Sequence, residues 1–96
     1  MFGPVLPVVT FQTEQEAIEL ANDTPYGLGA YVFTEDNDTY QRVARRIDAG
    51  NVAHNNVNYF NEYCPFGGFK ASGNARNSGL EGFKEVTQIK TISEEK

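Results

Sequence analysis

LGAYVFTEDNDTYQRVARRIDAGNVAHN, residues Leu28–Asn55, is the stretch that decides the fold. Leu28–Thr34 is apolar throughout, the pattern of a strand covered on both faces. Asp36 or Asn37 can cap a helix by accepting free backbone N–H groups. Tyr40, Val43, Ala44 and Ile47 then recur at i, i+3, i+4 and i+7, one stripe of a 3.6-residue period. Gly50 stands where a left-handed C-terminal cap is expected, and Asn51–Asn55 reads as a further short strand. Strand, helix, strand in this order implies parallel pairing with a right-handed crossover.

The same alternation extends upstream. Val5–Phe11 has strand composition, and Pro7, which lacks a ladder donor, predicts an edge strand or a bulge. Thr13-Glu14-Gln15-Glu16 has the form of a capping box. It opens a helix whose apolar side is Ala17, Ile18, Leu20 and Ala21, and Asn22-Asp23-Thr24-Pro25 stops that helix. The expected architecture is therefore α/β, a βαβαβ parallel sheet. Downstream the period is lost: 56–79 is rich in Asn, Gly and aromatic residues, a long loop of the kind that often carries function. A short helix over Leu80–Glu85 and a final strand, Val86–Ile92, with one wet face complete the chain before the polar tail Ser93–Lys96.

Composition narrows the classes. With 96 residues, 40% of them apolar, a core is affordable but marginal. The net charge is −5, and the basic residues are scattered among acidic neighbours, which argues against nucleic acid as a partner. No apolar run approaches the roughly 20 residues of a membrane span. The N-terminus has no basic n-region and no cleavage site, so no signal peptide is expected. One cysteine, Cys64, excludes an internal disulfide framework and fits a reducing, cytoplasmic setting.

Four segments, in order, resemble the NAD(P)-dependent aldehyde dehydrogenase superfamily. Phe2-Gly3-Pro4 is similar to the tail of a Glu-x-Phe-Gly-Pro motif. Ala21-Asn22-Asp23-Thr24-Pro25-Tyr26-Gly27-Leu28 is similar to A-N-x-T-x-Y-G-L. Gly50–Asn55 is similar to G-x-V-x-x-N, and Pro65–Gly73 to P-F-G-G-x-K-x-S-G. Thr87-Gln88-Ile89-Lys90 resembles T-x-x-K of the family's final strand. Each piece alone is a weak signal; their order and spacing together are specific.

The resemblance implies an enzyme that oxidises an aldehyde to a carboxylic acid with NAD or NADP. A cysteine thiolate attacks the aldehyde, hydride passes to the nicotinamide, and a glutamate-activated water hydrolyses the thioester. In the family the nucleophile, the base and the dinucleotide-binding sheet precede Phe-Gly-Pro. Met1 falls at the x of that motif, so the chain is expected to be a C-terminal fragment with no catalytic residue, no activity and no tight cofactor binding of its own. Residues 1–55 would then belong to the catalytic α/β domain, 56–85 to the substrate-side loop and short helix, and 86–96 to an oligomerisation-type strand and tail. Aliphatic, aromatic and amino aldehydes remain open as substrates, and succinate semialdehyde is a candidate. For the last, the loop 56–64 offers no Arg or Lys, so a carboxylate anchor would lie upstream.

The same resemblance singles out site candidates, each with a plainer alternative. Phe2 matches the phenylalanine against the nicotinamide; it is otherwise a frayed terminal residue. Asn55 matches an asparagine at the active-site mouth; with Asn56 and Asn58 beside it, turn chemistry also explains it. Phe60 and Phe66, and more weakly Tyr59, match the wall of the aldehyde tunnel; ordinary packing is the alternative. Gly67 and Gly68 ahead of Lys70 and Ser72 lack the G-K-[ST] order of a phosphate loop, and close backbone approach or positive φ explains them better. Cys64 and His54 have no orienting acid, and no metal-ligand set surrounds His54. Cys64 reads as a small buried hydrophobe and His54 as a packed strand residue. Where relatives continue S-G-x-G-R-E, this chain has Ser72-Gly73-Asn74-Ala75-Arg76-Asn77, so the turn and any ion pair of Arg76 differ.

The fragment reading carries a consequence: the sheet edges and apolar faces it leaves open favour self-association into a homo-oligomer, with exchanged elements as one route. Alternatively the chain is a free-standing, non-catalytic module that pairs through its last strand. A small hydrolase using Cys64 ranks behind both.

Overall fold

The computed structural model describes residues 3–58 and 60–96; the expectations for Phe2 and Tyr59 lie outside the described residues. Seven elements follow in order: α1 (Glu14–Asn22), β1 (Tyr26–Gly27), β2 (Gly29–Val32), α2 (Asn37–Arg46), β3 (Asn51–His54), β4 (Phe69–Lys70) and α3 (Gly79–Glu85). The class is α/β, as expected.

The centre is the crossover read from Leu28–Asn55. β2 and β3 pair in parallel, Gly29 opposite Asn51 through Val32 opposite His54, with α2 between them. Asp36 caps α2 by accepting from the N–H groups of Asp38 and Thr39, both at 3.2 Å. Arg45 and Arg46 in its last turn complement the helix dipole. Thr13 caps α1, its Oγ1 accepting from the Glu16 N–H at 3.1 Å. The Glu16 carboxylate reaches back to the N–H of Gln12 at 2.8 Å, one residue beyond the usual capping-box partner. The two helices are tied by a bidentate pair: Arg42 donates to Glu14 from Nε at 3.1 Å and from Nη2 at 2.9 Å.

Several expectations are corrected. Val5–Phe11 and Val86–Ile92 carry no ladder, so the sheet containing β2 and β3 has two strands among the described residues. Both stretches have strand composition, and what they lack is a neighbouring strand to pair with. β2 is shorter than Leu28–Thr34 and is not covered on both faces: Tyr31 and Phe33 are exposed. Gly50 is not a left-handed helix cap; α2 ends at Arg46 with Ile47 as the extended cap residue. Gly50 is required by close approach instead, because a Cβ there would lie 1.7 Å from the carbonyl oxygen of Gly67. The 56–79 segment is not wholly loop: it contains β4, antiparallel to β1, and a bridge between Phe66 and Asn77.

The core is small. Among the described residues, Ile18 and Ala53 are the buried apolar ones. The accessible surface is 8129 Å², against about 5,500 Å² for a compact monomer of 10.7 kDa. The radius of gyration, 17.9 Å, likewise exceeds the roughly 12–13 Å of a compact domain of this length.

Candidate functional site

Three of the segments quoted above meet in one hydrogen-bonded node. Asn22, at the end of α1, donates from Nδ2 to the carbonyl of Arg46 at 2.8 Å and accepts at Oδ1 from the N–H of Asp48 at 2.9 Å. It thus joins the ends of both helices. The Lys70 ammonium donates to the carbonyls of Asn22 (3.0 Å) and Thr24 (3.3 Å), with the Asp48 carboxylate at 3.7 Å. A cation at carbonyls freed by a helix terminus is favoured by both hydrogen bonding and the dipole.

Around this centre the backbones close up. The Ala71 N–H donates to the Pro25 carbonyl at 2.9 Å and the Gly27 N–H to Ser72 Oγ at 3.0 Å. Gly50 N–H reaches the Gly27 carbonyl at 3.1 Å. The Asn51 side chain accepts from Gly67 N–H at 3.3 Å and donates to the Pro65 carbonyl at 3.4 Å. Arg76 Nη1 donates to the carbonyls of Gly68 and Ala75, both at 2.9 Å, and its guanidinium lies 5.7 Å from the Phe69 ring centroid.

The node fixes where the candidate aromatic wall begins. Phe66 is held by reciprocal backbone bonds with Asn77, at 2.7 and 2.8 Å. Its ring meets that of Phe60 edge to face, centroids 6.0 Å apart at 61°. Phe60 itself is 61% exposed. Phe66 borders an open hollow of about 300 Å³ with Leu28, Gly67 and Ser72. Asn55 sits apart at the end of β3 with φ 53. Its Oδ1 accepts from Thr34 N–H and its Nδ2 donates to Thr34 O, both at 2.8 Å, which ties the end of β3 to the chain two residues past β2.

The remaining candidates are equally specific. His54 is packed: its ring stacks on Tyr40 at 4.1 Å and 4°, and Nε2 lies 3.1 Å from the Thr34 carbonyl. Cys64, expected as a buried hydrophobe, is exposed, because the loop that carries it has no core beneath it among the described residues. No group of three potential metal ligands occurs among the described residues, and no helix there is long and apolar enough to cross a membrane. The Gly67 N–H is committed to Asn51, so this glycine pair is not a phosphate cradle. Lys70, Asn22, Asn51 and Ser72 were not singled out by sequence reasoning as a unit. Their shared membership in the quoted motifs was the available signal.

The profile of the aldehyde dehydrogenase family matches residues 1–92. The chain belongs to the aldehyde dehydrogenase family. It is 48% identical over 92 residues to the NADP/NAD-dependent aldehyde dehydrogenase of Escherichia coli, covering 96% of this chain and 19% of that protein. Identity is also 48% to a succinate-semialdehyde dehydrogenase of Paenarthrobacter nicotinovorans, with 96% and 20% covered. Among solved structures, the indole-3-acetaldehyde dehydrogenase of P. syringae in complex with NAD+ superposes with a TM-score of 0.87 at 48% identity, over 92% of this chain and 18% of that one. This aldehyde dehydrogenase chain therefore spans about a fifth of the length of the relatives it matches.

Proposed function

We propose that the chain forms the C-terminal portion of an NAD(P)-dependent aldehyde dehydrogenase, which oxidises an aldehyde to the carboxylic acid, and that its own part is to shape the substrate side. The observation that carries this reading is the node: the motif segments of a family of aldehyde oxidisers meet in one hydrogen-bonded unit that includes the backbone on either side of Phe66. NAD or NADP supplies the hydride acceptor when bound. Phe60 and Phe66, with Tyr59, exclude water from the aldehyde, and Asn55 stands at the mouth on its Thr34 tether. The family resemblance assigns Phe2 to the nicotinamide side. Residues 1–55 belong to the catalytic α/β unit, 56–85 to the substrate side, and 86–96 to oligomerisation. The whole enzyme is a cytoplasmic homo-oligomer. The nucleophile and base lie outside these residues, so the isolated chain turns over no aldehyde and holds no dinucleotide tightly.

Grafting residues 3–92 into the matching segment of the Escherichia coli relative tests this. The graft should reduce NAD with an aldehyde, and Phe66→Ala in it should raise KM for an apolar aldehyde roughly tenfold, with a smaller effect on kcat. A folded graft without activity, or a Phe66→Ala graft with unchanged KM, would overturn the reading. A second reading, a non-catalytic module pairing through Val86–Ile92, draws on the 100% exposure of Ile89. Binding of the chain to a full-length relative that is lost in Ile89→Asp, together with an inactive graft, would support it.

A further inference from the structure

β3 ends on a residue that turns the chain off the sheet. The Asn55 N–H still donates to the Val32 carbonyl at 2.9 Å, as the next rung of the ladder. Its φ of 53° is left-handed, a conformation asparagine tolerates better than most residues. Its side-chain amide then pairs with the N–H and the carbonyl of Thr34, standing in for the main chain that has left. Beyond it, residues 56–63 contain no glycine and no proline but have asparagines at 56, 58 and 61. Asn56 Oδ1 accepts from the Asn58 N–H, Asn58 Oδ1 from the Phe60 N–H at 3.2 Å, and Asn61 Oδ1 from the Tyr63 N–H at 2.8 Å. We propose that Asn55, Asn56 and Asn58 are positioning residues: through these bonds to the main chain they set where the Phe60 ring stands against Phe66, and so decide how well the wall accepts a long apolar aldehyde. The inference deepens the substrate-side reading above and rests on it for the aldehyde.

A backbone N–H outside helix and ladder needs another acceptor, and an asparagine two residues upstream supplies one. Phe60 is thereby held twice, by its N–H at Asn58 and by its ring, edge to face on Phe66. Phe66 is fixed independently through Asn77, so a change at Asn58 moves one ring against a stationary one. The far end of the segment is pinned as well: the Cys64 N–H donates to the Asn61 carbonyl and the Gly79 N–H to the Glu62 carbonyl, both at 3.1 Å. Asn55 commits both ends of its amide to Thr34, so it acts on the chain and not on the aldehyde. The effect is selective. An aldehyde whose apolar tail reaches Phe60 senses where that ring stands, and one too short to reach it does not.

Two measurements test this. In the full chain, nuclear Overhauser effects between the Phe60 and Phe66 rings should be present, lost in Asn58→Ala and retained in Asn58→Asp, whose carboxylate still accepts from the Phe60 N–H. At position 55 aspartate should not rescue, because it accepts from the Thr34 N–H but cannot donate to the Thr34 carbonyl. In the grafted enzyme, Asn58→Ala should raise KM for hexanal about fivefold, with kcat and the KM for acetaldehyde each within about twofold of the unsubstituted graft. Asn58→Asp should bring the hexanal KM back to within about twofold. Ring contacts absent from the unsubstituted chain or surviving Asn58→Ala, equal KM rises for both aldehydes, or no recovery in Asn58→Asp would each overturn the proposal. An inactive unsubstituted graft would overturn the substrate-side reading instead, and the ring contacts in the full chain would still decide this one.

Discussion

Gly50→Ala is the substitution whose cost can be worked most directly from the structure. A Cβ at position 50 would lie 1.7 Å from the Gly67 carbonyl oxygen and 2.7 Å from its carbon, whereas real Cβ contacts essentially never fall under 3.0 Å. The two backbones must then part by about 1.3 Å, and both obstructing atoms are main chain, so no side-chain rotation relieves the clash. Two hydrogen bonds share this approach: Gly67 N–H to Asn51 Oδ1 at 3.3 Å and Gly50 N–H to the Gly27 carbonyl at 3.1 Å. Losing both costs about 1 kcal/mol each, and overpacking adds roughly 1–3 kcal/mol. The sum, about 3–5 kcal/mol, approaches the whole stability of a small domain, about 5 kcal/mol at the low end. The variant should therefore release the β1–β4 pair, while the α2 crossover, whose caps are local, survives longer. Amide hydrogen exchange checks this: Gly27, Phe69 and Ala71 should lose protection before Val52 and Ala53. Unchanged protection at Ala71, or a urea-derived loss below about 0.5 kcal/mol, would refute the close-approach argument.

Two further outcomes follow from charged groups. Lys70→Met keeps the stem but removes the ammonium from the carbonyls of Asn22 and Thr24 and from Asp48. The Lys70 side chain is 32% exposed, so the loss should be about 1–2 kcal/mol in urea unfolding, below the full value of charge-assisted bonds; a gain in stability would contradict the node. Glu14 titrates below the usual carboxylate range, chiefly through its hydrogen bond from Arg42. Asp36 does so chiefly through the Thr39 hydroxyl, then the Asp38 N–H. In both cases the folded state binds protons less readily than the unfolded one. Their contribution is then fully present above the unfolded values near about 4 and fades as pH falls through the lower folded values. The urea midpoint should decline on acidification through that window, and the decline should be shallower in Glu14→Gln and Asp36→Asn. Because the groups are exposed, the Glu14 share should also shrink with added salt; a steeper decline in either variant would contradict the assignment.

The parts of the fold legible in the sequence are those governed by local rules. Thr13 and Asp36 cap helices because their short oxygens reach N–H groups two or three residues on, and the Tyr40–Ile47 stripe marks α2 by its period alone. β1 and β4 were illegible: two-residue strands in a glycine-rich region have no period to detect. Val5–Phe11 and Val86–Ile92 misled for the opposite reason. An alternating or β-branched run encodes a surface suited to pairing, not the presence of a neighbour, and here none lies in reach among the described residues. Cys64 misled similarly, since a preference for burial is realised only where there is a core to enter.

The candidate site divides along the same line. The motif letters were readable as a resemblance, but their physical role was not, because each pairing spans a large sequence separation. Lys70 binds carbonyls 48 and 46 residues upstream, and Gly27 meets Ser72 across 45. No window-based pattern carries such contacts. The node also explains why these residue types recur together. Asn22 and Asn51 each offer a donor and an acceptor to backbone groups left over by helix ends and turns. Glycines at 27, 50 and 67 let main chains touch, and Lys70 supplies a positive charge to the carbonyls at the end of α1. Each is a requirement of assembly, not of bond making. Pro65–Gly73 is therefore an assembly segment: Lys70 and the Asn51 side chain bolt its loop to the ends of α1 and α2, and the bolt fixes where Phe66 and the Phe60 ring against it stand.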